Sequence, residues 1–149
     1  MNSEKQVFKT RIDKTFISFY LIMFLLIVAM SVITYLLPND SSMFYFMAGF
    51  NIVALAFMAS AFFLLKIIIK DEFLHVHLFY PIYKVDIRTI TTITAGKTMW
   101  LGFHKHGTAT KGLIISSKFK NDLYITPQDE SLLLKKLSEV NPNIHFTNG

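Results

Sequence analysis

The first part of the chain contains two long stretches without a charged residue. The first, FISFYLIMFLLIVAMSVITYLL, covers residues 16–37, and the second, SSMFYFMAGFNIVALAFMASAFFLL, covers residues 41–65. About 20 apolar residues in a helix cross a hydrocarbon core of roughly 30 Å, so both stretches are long enough to span a bilayer. The pattern therefore predicts two transmembrane helices, at about 16–37 and 43–65, joined by a short link.

After about residue 65 the chain changes from continuous apolar residues to short pieces that alternate apolar and polar positions or are rich in β-branched residues. Such pieces are typical of β-strands. They are LHVHLF (74–79), YKVDIR (83–88), TITTITAG (89–96), GLIISSKF (112–119) and DLYIT (122–126). The pattern predicts a β-rich domain over residues 66–149, with five to seven antiparallel strands and almost no linker after the second helix.

A single amphipathic helix is predicted near the end of the chain. We expect Thr126 as its N-cap, Pro127 at its first position and Asp129 as a capping-box carboxylate. Its apolar face comprises Leu133, Leu134, Leu137 and Val140, and Asn141-Pro142 ends it. A curled sheet leaves an open end that a helix with one apolar face closes, so we expect this helix to cap the sheet.

The distribution of charge gives the expected orientation in the membrane. Residues 1–15 carry four Lys or Arg, the link PNDSSM (38–43) carries only Asp40, and the chain after the second apolar stretch carries eleven Lys or Arg. By the positive-inside rule, residues 1–15 and 66–149 are cytoplasmic and the link is external. The positive charges are spread along the chain rather than concentrated, so nucleic acid is not an expected partner.

No pattern of residues points to catalysis. Cysteine is absent, and GKT (96–98) is not a phosphate loop, because that motif requires a glycine at position 91. His75 and His77 stand at i and i+2 on one predicted strand, which places their imidazoles on one face, and His104 and His106 repeat this spacing in a loop. A catalytic zinc, however, needs three protein ligands. We therefore expect a non-enzymatic protein without a metal or a cofactor.

The most distinctive stretch is the loop GKTMWLGFHKHGTATKG (96–112), which contains the only tryptophan of the chain. Aromatic side chains favour the headgroup level of a bilayer, and lysines favour anionic phosphates. The loop is therefore a candidate for contact with lipid headgroups or a partner, through Lys97, Trp100, Leu101, Phe103, Lys105 and Lys111. The alternative is a long hairpin loop whose aromatic residues pack on the domain or on the two helices.

Three residues of the second apolar stretch are candidates for helix–helix contact. Asn51 is a strongly polar residue in mid-span, and an interhelical hydrogen bond in a membrane contributes about 1 kcal/mol. Gly49 and Ser60 are small and ease the close approach of helices. Such contacts join the two helices to each other or to a second copy, so the sequence leaves a homodimer open as an alternative.

Two motifs resemble those of small bacterial membrane proteins with a pleckstrin-homology-like (PH-like) domain. Val85, Ile87 and Ile90 match a segment of the form I-x-x-I-x-x-I. The ending ITPQDESLLLKKL (125–137) resembles I-S-P-x-D-x-x-x-F-x-x-x-L, with threonine in place of serine and leucine in place of phenylalanine. The resemblance implies a PH-like domain, residence in the bacterial cell (inner) membrane, and binding through loops.

These features together predict an integral membrane protein with both termini in the cytoplasm. We expect its PH-like domain to bind a partner protein, including another membrane protein, or anionic lipid headgroups at the inner leaflet, and to act in regulation. Some similar two-span proteins protect bacteria from a bacteriocin that they make themselves. Immunity against a membrane-active bacteriocin is therefore the alternative function.

Overall fold

The computed structural model describes residues 5–36 and 41–149. In chain order its elements are β1 (Gln6–Lys9), α1 (Lys14–Leu36), α2 (Ser41–Phe63), β2 (Lys66–Lys70), β3 (Phe73–His77), β4 (Pro81–Asp86), a 3₁₀ turn (Ile87–Thr89), β5 (Ile90–Lys97), β6 (His104–Lys105), β7 (Gly112–Ser117), β8 (Lys120–Ile125), α3 (Glu130–Val140) and β9 (His145–Asn148). The predicted link between the helices falls in part on residues 37–40, which lie outside the described residues.

The strands form two sheets that enclose one apolar core. The first sheet has the order β1-β2-β3-β4, and the second has the order β6-β8-β7-β5-β9. Alternate side chains are buried along β3, as the alternation in the sequence predicts, whereas three successive residues are buried in β2 and in β8. Leu133 and Leu137 of α3 pack against this core with no exposed area. The apolar face predicted for this helix is therefore confirmed.

The prediction of five to seven antiparallel strands is wrong in number and partly in direction. Nine strands lie within the described residues, β9 runs parallel to β5, and β6 runs parallel to β8. A two-residue strand such as β6 is too short to show a period of two, and all four residues of β9 are exposed. Neither strand therefore leaves a pattern of alternating burial in the sequence.

The predicted start of the C-terminal helix is also wrong. The helix begins at Glu130, and Asp129 is its N-cap, since its side chain accepts a hydrogen bond of 2.9 Å from the Leu132 N–H. Thr126 is instead fully buried in the domain, where its Oγ1 accepts a hydrogen bond of 2.9 Å from the Thr108 N–H. A threonine four residues before the helix thus joins two segments rather than capping α3.

The two long helices are inserted between neighbouring strands of one sheet. β1 precedes α1, β2 follows α2, and the two strands pair antiparallel from Gln6↔Ile69 to Lys9↔Lys66. The N-terminal segment, expected only to lie in the cytoplasm, therefore supplies an edge strand of the β-domain. Its residue Phe8 is 6% exposed and belongs to the core.

The segment after β1 continues onto the second sheet. Thr10 forms a bridge with Pro127, Ile12 forms a bridge with Thr108, and the Arg11 N–H donates to the Thr126 carbonyl at 2.6 Å. One stretch of eight residues, 6–13, therefore pairs with both sheets. It closes the domain along one side, next to the place where α1 begins.

The helices differ from the two predicted spans in extent. α1 covers Lys14–Leu36 and α2 covers Ser41–Phe63, rather than 16–37 and 43–65. Among the helices of the described residues, α1 is the one long and apolar enough to cross a membrane, with a mean hydropathy of 2.7. The apolar part described for α2, Phe44–Ser60, is shorter, so length and composition support one span directly.

Replacing Phe8 by Ala tests whether the N-terminal strand is part of the core. Loss of a buried aromatic side chain is expected to lower the free energy of unfolding of the β-domain by about 3–5 kcal/mol. Val7, which is 51% exposed, is the matched control, and Val7→Ala is expected to change this free energy by about 0.5 kcal/mol or less.

Hydrogen exchange at the amides of β2, measured on the full chain in lipid nanodiscs, gives these free energies. Equal, small effects of the two substitutions would show that the N-terminal strand does not belong to the core.

Candidate functional site

One end of the first sheet carries both connections to the long helices. The registers Lys9↔Lys66, Lys66↔His77 and His77↔Pro81 place these four residues in a row at the same end. We call this the helix-proximal end. The predicted lack of a linker is confirmed there, because the Leu64 N–H still bonds to the Ser60 carbonyl at 2.9 Å and β2 begins two residues later.

The turn between β3 and β4 lies at the helix-proximal end and exposes two aromatic rings. Phe79 is 70% exposed and Tyr80 is 68% exposed, and the Leu78 N–H donates to the Tyr80 carbonyl at 3.1 Å. The sequence pattern places Phe79 in the preceding strand and a turn at YPI (80–82), whereas the structure has the turn at 78–80 and Pro81 already in β4. Aromatic residues next to Pro81 are the signal that marks it, since proline commonly stands beside turns.

The loop 96–112 exposes its three largest apolar side chains. Trp100 is 77% exposed, Leu101 is 89% exposed and Phe103 is 92% exposed. Leu101 and Phe103 therefore do not pack on the domain or on the helices, contrary to the alternative expectation. Lys105 is the cation near the tryptophan, with its Nζ 5.7 Å from the centre of the Trp100 ring.

The loop also lies beside the beginning of α1. Phe16 and Phe19 of α1 line a groove of about 260 Å³ together with Trp100 and Thr98 of the loop. At a rise of about 1.5 Å per residue, these two phenylalanines belong to the first two turns of α1. Trp100 is therefore level with the start of the apolar helix.

The two remaining lysines of the predicted contact set flank the base of the loop. Lys97 ends β5 opposite Gly112, and the Lys111 N–H donates to Thr98 Oγ1 at 2.8 Å. Both therefore stand at the end of the second sheet where the loop begins and returns. The structure thus brings the six predicted contact residues together on one loop beside α1.

The returning half of the loop is held by a buried tyrosine of β8. The Tyr124 hydroxyl donates to the Ala109 carbonyl at 2.7 Å and accepts from the Gly112 N–H at 3.1 Å. A Cβ at Gly107 would stand 2.5 Å from the Tyr124 ring, so glycine is needed for this close approach. The base of the loop is therefore rigid, whereas its apolar tip is exposed.

Asp13 connects this loop to α1. Its Oδ1 accepts a hydrogen bond of 2.9 Å from the Phe16 N–H in the first turn of the helix. Its Oδ2 accepts two, of 2.6 Å from the Thr110 N–H and of 2.5 Å from the Thr110 hydroxyl. Burial opposes ionisation, but the hydrogen bonds from Thr110 and Phe16 outweigh it and hold the pKa of Asp13 below its ordinary value.

Arg11 supports the same junction from the other side of the segment. Its guanidinium donates to the carbonyls of Thr110 and Lys111, at 3.0 Å each, and lies 3.3 Å from the carboxylate of Glu130. In the sequence, Arg11 contributes only a positive charge to the predicted topology. Its structural partners come from positions about 100 residues away, and no local pattern reveals them.

The three predicted helix-contact residues have different surroundings. The Asn51 side-chain amide of α2 donates to Ser31 Oγ of α1, so this pair joins the two helices. Ser60 is buried, and its hydroxyl bonds to the Phe57 carbonyl of its own helix at 2.6 Å. Around Gly49, no described atom lies within 4 Å of an added Cβ, so the expected close approach is wrong within this chain.

The two histidine pairs lie in separate places. His75 and His77 are on β3, with ring centres 5.8 Å apart, whereas His104 and His106 stand beside Tyr83 of β4. Burial, and then the charge of Lys84, lower the pKa of His75. Within the described residues, no three His, Cys, Asp or Glu side chains form a group that would hold a metal ion.

Comparison with known proteins identifies the β-domain. The family model described as "Bacterial PH domain" matches residues 65–141, just over half of the chain, and the chain therefore belongs to this family. No curated protein and no solved structure matches the chain. The two sheets and the C-terminal helix agree with a PH-like fold, and β1 lies outside the matched region although it completes the first sheet.

Asp13→Ala is expected to loosen the connection between α1 and the loop. Removing the acceptor of the Thr110 N–H leaves a partly buried donor unpaired, which costs about 1–3 kcal/mol. Hydrogen exchange at the Thr110 amide should accelerate accordingly in the full chain at neutral pH. Asp122→Ala, which removes an exposed carboxylate of β8, is the control and should leave this rate unchanged.

The pH dependence follows from the lowered pKa of Asp13. A carboxylate with a depressed pKa in the folded state stabilises that state above the ordinary value of 3.8 and loses the effect as the pH falls through the folded pKa. The difference between Asp13→Ala and the unaltered chain should therefore shrink below pH 3.8. A difference that is independent of pH would contradict a role for the ionised carboxylate.

Proposed function

We propose that this protein is a two-span protein of the bacterial cell membrane whose PH-like domain is held against the inner leaflet as a non-enzymatic binding module. One observation carries the proposal. The helical pair, the aromatic turn 78–80 and the start of α1 beside the loop 96–112 all lie at one end of the domain. A bilayer around the helices brings both exposed aromatic segments to its surface.

The pairing of β1 with β2 supports two crossings rather than one. These strands are direct neighbours in a sheet, so the chain that leaves after β1 must return to the same side of the membrane before β2. An even number of crossings is then required. If α1 spans the bilayer, α2 spans it as well, although the apolar part described for α2 is short.

The charges of the helix-proximal end suit the cytoplasmic leaflet. Lys9 and Lys66 stand in the row of residues where the helices leave the sheet, and Lys97 and Lys111 flank the loop. A lysine near an anionic membrane surface contributes about 1 kcal/mol of attraction. With both termini in the cytoplasm, as the positive-inside rule predicts, these lysines face anionic headgroups.

The exposed aromatic residues then become anchors at the headgroup level. Trp100 and Tyr80 have the amphipathic rings that favour the interface of a bilayer, and Leu101, Phe103 and Phe79 add apolar area. A domain held at several points presents the rest of its surface to the cytoplasm in one orientation. Such a domain is suited to recruit or regulate a partner protein at the membrane, including another membrane protein or a second copy of this chain.

Fluorescence of single tryptophans tests the orientation of the domain. Trp100 is the only native tryptophan, so quenching by brominated lipids in nanodiscs reports its depth without labelling. We expect a roughly twofold or greater loss of its emission, as for a residue at the interface. Phe79→Trp in a Trp100→Phe background should be quenched to a similar degree.

The matched control is Phe119→Trp in the same background. Phe119 is 82% exposed, like the other two positions, but lies in the turn between β7 and β8, at the end opposite Gly112 and Ile125. Its emission should be unaffected by brominated lipids. Equal quenching at all three positions, or at none, would rule out the proposed orientation.

Protection against a membrane-active bacteriocin is a second candidate, favoured by one observation. Between α1 and α2 runs an apolar groove of about 360 Å³, lined by Leu26, Met30, Phe46 and Phe50 and by the polar Asn51. A groove of this kind within a membrane suits the apolar face of an amphipathic peptide. The helical pair would then intercept the peptide before it damages the bilayer.

Expression of the full chain in a bacterium sensitive to such a bacteriocin tests this candidate. Survival should rise, and Met30→Trp should abolish the gain by filling the groove. Val32→Trp is the control, because Val32 is on the same helix and equally exposed but does not line the groove. This function would be excluded if expression of the chain did not raise survival, or if the Met30→Trp variant protected the cells fully.

A further inference from the structure

The two sheets do not join on the side of the domain opposite the N-terminal segment. β4 is the edge strand of the first sheet. In the second sheet β6 pairs only with Leu123 and Tyr124, so the first half of β8 has no strand on that side within the described residues. A cleft of about 660 Å³ lies between these two edges.

Side chains rather than main-chain pairs bridge this cleft. The Tyr83 hydroxyl donates to the Asn121 carbonyl at 3.0 Å, and Lys120 Nζ donates to the Lys84 carbonyl. The Lys84 carbonyl therefore faces the cleft. The register of β4 with β3 shifts at Ile82, so the regular alternation of main-chain direction does not extend past Tyr83 to that residue.

The walls of the cleft are basic and partly apolar. Lys118, Lys120 and the ring of His104 line it, and none of its lining residues is acidic. Phe119 stands between the two lysines and is 82% exposed. The nearest carboxylate along β8 is Asp122, which is outside the lining but close enough to act on Tyr83.

We propose that this cleft binds an extended acidic segment of a partner protein as an added strand along β4. The outward main-chain groups of Lys84 would pair with the segment, as in the addition of a strand to an exposed sheet edge. Lys120 would leave the Lys84 carbonyl and, with Lys118, would meet acidic side chains of the segment. Phe119 would cover an apolar side chain at one end of the bound segment.

A strand fits these features better than an isolated phosphate does. A phosphate site needs several donors that converge on one point, whereas Lys120 is directed at a carbonyl and lies 5.2 Å from the centre of the Tyr83 ring. The free edge of β4 is of no use to an isolated anion. An extended main chain in the cleft would account both for the free edge of β4 and for the position of Lys120 beside a main-chain carbonyl.

The site does not depend on the proposed contact with the membrane. The turn that carries Lys118 and Phe119 is at the end of β8 opposite to Ile125, which leads to the contacts with Arg11. The cleft therefore stays open to solvent whether or not the helix-proximal end touches lipid. Failure of the lipid-quenching experiment would leave this inference standing. Failure of the peptide-binding experiment would likewise leave the proposed contact with the membrane standing.

Selection of a random nine-residue peptide library displayed on phage, against the full chain in lipid nanodiscs, tests the inference. We expect enrichment of peptides that contain Asp or Glu between β-branched residues and lack proline. Binding of the enriched peptides should weaken by about tenfold or more in the Lys118→Glu/Lys120→Glu variant. Lys135→Glu, an exposed lysine of α3 outside the cleft, is the matched control and should retain full affinity.

Hydrogen exchange locates the bound peptide. Pairing along β4 should slow exchange at the Lys84 amide and leave the amides of β9, at the far edge of the second sheet, unchanged. The inference is overturned if no peptide is enriched, if binding survives Lys118→Glu/Lys120→Glu, or if the Lys84 amide is not protected. It is also overturned if inorganic pyrophosphate displaces the peptides completely at equal concentration, which would indicate a simple anion site.

Discussion

The antiparallel pairing of β1 with β2 is the constraint on which the architecture depends. It joins residues that are about 60 positions apart, Gln6 with Ile69 and Lys9 with Lys66, and places the whole helical pair between them. Both ends of the pair are therefore fixed to one sheet edge. A helical anchor attached in this way cannot turn freely relative to the domain, as one attached through a single flexible linker would.

The segment 10–13 extends this constraint to the second sheet and to the loop. Arg11 bonds to Thr126 through its main chain and to Thr110 and Lys111 through its side chain, and Asp13 joins Thr110 to the first turn of α1. A tilt of α1 would therefore pull on the base of the loop. The position of the loop and the position of the helix are coupled through these few hydrogen bonds.

The sequence predicts those parts of the fold that carry a local pattern. Strands β3 and β4 and the buried face of α3 follow from the period of their apolar residues, and β5, β7 and β8 follow from runs rich in β-branched and apolar residues. The sequence does not reveal β1, because Val7 and Phe8 are two adjacent apolar residues between polar ones and carry no period; of the two, only Phe8 is buried. The same limit applies to the helix cap. Thr126 accepts a hydrogen bond from the Thr108 N–H, a distant partner that the local sequence does not indicate.

The positions of the two candidate surfaces bear on how the protein works. Aromatic residues and lysines gather where the helices leave the sheet, whereas the cleft beside β4 opens between the edges that the N-terminal segment leaves uncovered. Tyr83 connects the two, because β4 begins at the aromatic turn and Tyr83 reaches across the cleft to Asn121. Both candidate surfaces are therefore built on one strand, with the aromatic turn at its start and the cleft along its outer edge.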